Sequence, residues 1–233
     1  MSKNESFESE CSSNYDEEIE IKSKKTIKKN SSESNVVDNK LLKAISITLT
    51  SILDQNKNLD NYKEIIKSQS SSVFSANFIP NISIYDYLER IKTYSKAEKS
   101  TLIIGLIYID RLCNKAKITL TYYNIHRILF SAVLMSIKYN EDCYYDNKYY
   151  SQIAGVKLKE LKILEYNFIK LLNCELYVSR ELYDKYQIYL IISILMENNE
   201  IKGIKKIKSI NIYYIYFFRN YFLQEIFISL IKL

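Results

Sequence analysis

Three glycines and one proline are all the chain punctuation that 233 residues contain. Tight β-turns need residues that reach positive φ or fix φ near −65°, so a fold of many hairpins is hard to build here. A glycine-rich phosphate loop is equally poorly supplied. Helices with few sharp stops remain, and the expected fold class is all-α. With 47% apolar and 26% charged residues the chain is globular in composition, with length for one compact domain plus extensions. The 22 tyrosines accompany abundant Ile, Asn and Lys, a bias that an AT-rich coding sequence produces without selection for tyrosine chemistry.

The cysteines, Cys11, Cys113, Cys143 and Cys174, form no CxxC pair, and His126 is the single histidine. Neither a zinc knuckle nor a disulfide framework is expected, and no metal or other cofactor. The first residues are acidic and serine-rich where a secretory signal needs a basic patch and an apolar run. The expected location is therefore the nucleus or the cytoplasm.

Residues 1–40 are rich in Ser, Asn, Glu and Lys without apolar periodicity and read as a disordered arm. Within it, KSKKTIKK at 22–29 is either a solvated lysine run or a nuclear-import signal. Residues 41–77 read as a leading helix and a linker. Leu41, Ile45, Leu49, Ile52 and Leu53 make one helical face, and SQSSS at 68–72 breaks it. From 78 to 178 come five helical segments. The first follows Pro80 and carries Ile84, Tyr87, Leu88 and Ile91. The second runs from Glu98 to about Cys113, and the third from Thr121, a candidate cap, to Tyr139. The fourth covers Lys148–Ile153 and stops at Gly155; the fifth spans Leu158–Leu172. Residues 179–233 read as accessory helices at 181–196 and 209–232. The last is long enough to cross a bilayer, but Arg219 and Glu225 near its middle make packing on protein the favoured reading.

Three charges fall among apolar neighbours. Asp110 lies on the inward stripe of the second segment, where a lone carboxylate is costly, and Arg90 is the candidate partner. The alternative turns Asp110 toward solvent with Arg111. Glu165 sits beside the Leu158, Leu161, Phe168, Leu172 series, and Lys138 ends the third segment, where the helix dipole favours a cation. Lys138 and Glu165 can meet, either as a staple between helices or as a polar anchor for a partner.

ISIYDYLERI at 82–91, YIDR at 108–111, NIHRILFSAVLMSIKY at 124–139, YYDNKYY at 144–150 and the leucine pattern at 161–172 together resemble a cyclin box, specifically that of P-type cyclins. The resemblance implies a single five-helix cyclin-box domain with flanking helices. It also implies a regulatory subunit, not itself an enzyme, that binds a cyclin-dependent protein kinase as a heterodimer and activates it, in cell-cycle or nutrient-linked control. By the same resemblance Lys138 and Glu165 are the polar anchor at the kinase interface, with Tyr139, Ile169, Cys174 and Leu176 as apolar neighbours; the aspartate that Asp110 matches pairs in the family with an arginine early in the first helix, where this chain has Asn81, so a buried structural pair needs Arg90 as the substitute. Two readings compete: a nucleic-acid-binding cyclin-fold transcription factor and a scaffold cyclin that binds without activating. The first is disfavoured because the net charge of +6 is spread between residues 71–180 and 201–233 rather than gathered on one element.

Overall fold

The computed structural model describes the backbone of residues 20–197 and the side chains of residues 39–193. The apolar segment at 209–232 lies outside the described residues. The chain divides into two units, Met1–Val37 and Asp38–Leu233, and the apolar core belongs to the second. Every regular element described is a helix: α1 (Glu20–Lys57), α2 (Tyr62–Gln69), α3 (Ile84–Ser95), α4 (Lys99–Ala116), α5 (Ile125–Asn140), α6 (Asn147–Ala154), α7 (Leu158–Leu171) and α8 (Arg180–Glu197). The all-α expectation holds, and α3 to α7 are the five segments read between 78 and 178.

Helix α1 begins at Glu20, inside the stretch that composition alone reads as irregular. Neither Gly nor Pro occurs before Pro80, so nothing in that stretch forbids a helix. The leading segment divides where Asn58, Asp60 and Asn61 favour turns, with Asn58 N–H donating to Asp54 O (3.2 Å) and Tyr62 N–H to Leu59 O (3.0 Å). Leu42, Ile45, Leu49 and Leu53 of α1 are buried in the same core as the five helices. This leading helix is therefore part of the domain's packing.

Helix α3 starts where the Ser83 side chain accepts from Asp86 N–H (3.0 Å), and α6 where Asp146 accepts from Tyr149 N–H (2.8 Å). Gly155 ends α6 in the left-handed region at φ 73°. The ends of α3 and α4 use Lys96 (φ 55°) and Lys117 (φ 52°) instead. Each costs roughly 1 kcal/mol relative to glycine. Thr121 does not cap α5: the helix begins at Ile125 behind Asn124, whose side-chain oxygen accepts from Thr121 N–H (2.8 Å).

At the centre lies α5, buried from Ile125 to Ile137 except at Arg127. Helices α3, α4, α6 and α7 all pack on it. The closest approach is at Gly105 of α4, where an added Cβ would lie 3.1 Å from Val133 Cγ2 and 3.4 Å from Val133 Cα. Glycine is needed there for space rather than for φ.

Gly105→Ala should therefore lower stability by about 1 kcal/mol: overpacking costs roughly 1–3 kcal/mol, and the gain in helix propensity returns about 1 kcal/mol. Val133→Ala, which opens that contact, should make the glycine substitution less harmful than it is alone. Urea unfolding of the single and double variants checks this, and a Gly105→Ala protein as stable as wild type would show that the two helices are not in close contact.

Candidate functional site

Because α5 is apolar almost throughout, the first charge after its core stretch is Lys138, one residue past buried Ile137. Helix α7 buries Leu161, Leu164 and Phe168 on one stripe, and Glu165 sits on that stripe's flank. The two side chains meet, with Lys138 Nζ 2.5 Å from Glu165 Oε1 and each side chain 20% exposed. A third residue closes the arrangement. Asn147, the first residue of α6, accepts from Lys138 Nζ through Oδ1 (2.6 Å) and donates from Nδ2 to Glu165 Oε2 (2.8 Å). Three helices thus contribute one group each to a ring of hydrogen bonds at the edge of the core.

Apolar surface lies along the chain on either side of this ring. Tyr139 is 51% exposed and Tyr166 62% exposed, while Ile169 is half-buried against the core. Cys174 is exposed at the end of α7, where Asn173 (φ 54°) and Cys174 (φ 58°) are both left-handed. One face of α4 secures this turn. Lys115 donates to Leu172 O (3.2 Å) and pairs with Glu175 (2.5 Å); Arg111 donates to Glu175 O and to Tyr177 O (3.1 Å); Tyr108 O–H donates to Leu176 O (2.6 Å). Residues 108, 111 and 115 lie at helical spacing, so a single face satisfies the carbonyls of the segment that follows α7, at 172 and 175–177.

Two expected placements are corrected. Leu176 is 7% exposed and belongs to the core, because Tyr108 draws its carbonyl against α4. It is not part of an apolar surface. Asp110 and Arg90 do not pair. Arg90 donates to Gln152 O (2.7 Å) and thereby joins α3 to α6, whereas Asp110 accepts from Tyr186 O–H of α8 (2.9 Å). A neutral hydroxyl takes the place of a cation at a largely buried carboxylate. Burial pushes the Asp110 carboxyl up to about 6 from a usual 3.8, and the bond from Tyr186 moderates the rise. Among the described residues no group of three His, Cys, Asp or Glu side chains could hold a metal ion, and no helix is long and apolar enough to cross a membrane. His126 is 7% exposed, between packed helices, with Nε2 3.0 Å from Ile82 O.

Comparison with known proteins decides the family. A family profile described as Cyclin matches residues 13–176. This chain belongs to the cyclin family. It is 32% identical over 160 residues to Cyclin-U4-1 of Arabidopsis thaliana, a match covering 68% of this chain and 78% of that protein. Against Cyclin-U2-1 of Arabidopsis it is 35% identical over 115 residues, 49% of this chain and 52% of the relative. Cyclin-P3-1 of Oryza sativa subsp. japonica is 28% identical over 156 residues, 67% of this chain and 65% of the relative. The relatives are mainly U-type, so the cyclin box is established and the P-type subclass is not singled out. Cyclins as a family are regulatory subunits rather than enzymes.

Spacing showed that Lys138 and Glu165 could meet, but it missed Asn147. The Asp146 cap gives the signal for it, because it starts α6 at Asn147 and so fixes where that amide is presented.

For Asp110 the linkage sign follows from its raised value. The native state binds the proton more tightly than the unfolded chain does, so this group favours folding below about pH 4 and loses that contribution as pH rises through about 6. Relative to Asp110→Asn, wild-type stability should fall across this window by on the order of 3 kcal/mol and stay level above it. Urea unfolding at stepped pH tests this, and parallel curves for the two proteins would contradict it.

Proposed function

We propose that this chain is the regulatory subunit of a cyclin-dependent protein serine/threonine kinase, binding it as a heterodimer and activating it. The observation that carries the reading is the Lys138–Glu165 pair, one-fifth exposed on each side chain and neighboured by exposed Tyr139 and half-buried Ile169. A charge pair at the rim of apolar surface offers directional bonds where the neighbouring area offers burial, the combination that makes an anchor. Cys174 extends the same surface past the end of α7. The chain supplies no reacting atom. It binds the kinase better in the arrangement that brings a helix-borne glutamate onto the ATP-binding lysine, and so raises the population of that arrangement.

The charge pattern favours this reading over nucleic-acid binding. Lys115, Arg127, Lys138 and Arg180 are each paired with a carboxylate, on Glu175, Glu160, Glu165 and Asp184 respectively. Basic residues engaged in this way contribute less to a stripe that would track phosphates. Such a kinase subunit would act in the nucleus or the cytoplasm, in cell-cycle or nutrient-linked control.

Titration of recombinant cyclin-dependent kinases with the purified chain should give one or more stable heterodimers with increased phosphotransfer to a peptide substrate. Lys138→Glu and Glu165→Lys should each weaken that binding at least tenfold while the melting temperature changes by no more than a few degrees, because each opposes a surviving like charge. Undiminished binding by both variants would refute the anchor. A tight complex with unaltered phosphotransfer would refute activation and leave the scaffold reading.

A further inference from the structure

We propose that Asn147 is a positioning residue for the kinase anchor, holding Lys138 and Glu165 in the geometry in which they meet the partner. The inference rests on the kinase-binding reading and adds to it a residue that touches the anchor from a third helix. The amide has one chemically sensible orientation. Its oxygen faces an ammonium, which only donates, and its nitrogen faces a carboxylate, which only accepts, at 2.6 and 2.8 Å. Turned over, it would oppose two donors and two acceptors. The Asp146 cap and the buried neighbours Tyr150 and Ile153 secure the start of α6, so the amide is held by backbone and core.

The hydrogen-bond valences show what such a ring leaves to a partner. Lys138 has three N–H donors and spends two, on Glu165 Oε1 and Asn147 Oδ1. One remains. Glu165 receives one bond on each oxygen and keeps further lone pairs, and Asn147 keeps its second N–H. The ring therefore offers donors and acceptors together from one fixed frame. Without Asn147, one direct contact is left between two long side chains, and each regains rotamers that binding must then remove. Ordering costs of this size amount to about tenfold in affinity.

The test measures kinase binding and anchor geometry separately. Kinase affinity is measured for wild type, Asn147→Ala, Asn147→Asp, Glu165→Gln and the double variant Asn147→Ala with Glu165→Gln, using whichever recombinant cyclin-dependent kinase wild type binds most tightly. Asn147→Ala should weaken binding about tenfold, with a melting temperature lowered by no more than a few degrees. Asn147→Asp, nearly the same shape, should also weaken it, because an oxygen then opposes Glu165. In the Glu165→Gln background the alanine substitution should cost much less than alone, a coupling that a residue merely stabilising α6 would not produce. Independently of any kinase, competitive acetylation with isotopically labelled acetic anhydride should show Lys138 reacting several-fold faster in Asn147→Ala, with the other lysines unchanged. Wild-type affinity in the alanine variant, or equal costs in both backgrounds, would overturn the positioning role. If wild type binds none of the kinases the function proposal fails, and the labelling still decides whether Asn147 holds Lys138: an unchanged rate would overturn that too.

Discussion

The burial of α5 on nearly every side is the constraint on which the other features depend. Four helices pack against it, and the approach of α4 is close enough that a methyl group at position 105 would press on Val133. A helix enclosed in this way carries charge only near its ends. Arg127, in its first turn, is paired with Glu160, and Lys138, in its last turn, with Glu165. The polar anchor is thus a consequence of packing: it forms at the place where the central helix leaves the core and passes α7.

That origin explains why the anchor is firm rather than a mobile surface ion pair. Exposed pairs contribute little, because two long side chains must be ordered in water. Here both partners are four-fifths covered, and Asn147 joins them from α6. On the α4 side, Tyr108, Arg111 and Lys115 tie down residues 172–177, so the turn that exposes Cys174 is fixed to the same scaffold. Rigid presentation lowers the entropy lost on association, and a subunit that works by biasing its partner's conformation needs such a surface.

Much of the five-helix pattern was legible from apolar spacing, since Ile84, Tyr87, Leu88 and Ile91 of α3 and Leu161, Phe168 and Leu172 of the last series are buried as periodicity predicts, whereas Leu158 of that series is exposed. Helix ends were less legible. Glycine at 155 marks a stop, but Lys96 and Lys117 end helices in a conformation that lysine does not advertise. Long-range partners were illegible for a different reason. The cost of burying Asp110 could be read from its neighbours, but its bond comes from Tyr186 in a helix outside the five-segment domain, and Arg90 is taken by a carbonyl of α6. Leu176 was misplaced because its burial depends on the α4 side chains that hold the backbone around it. Lys138 and Glu165 could be matched by spacing, whereas Asn147 enters only when the cap of α6 fixes its register.

Site-specific photo-crosslinking addresses the central claim most directly, since it reports which face the kinase covers. A benzophenone amino acid replaces Tyr139 in one variant, Tyr166 in a second and, as an exposed reference ahead of α3, Phe78 in a third. On this account the Tyr139 and Tyr166 variants crosslink to the kinase within the heterodimer and the Phe78 variant does not. Crosslinks from Phe78 with none from the two tyrosine positions would place the partner elsewhere and contradict it.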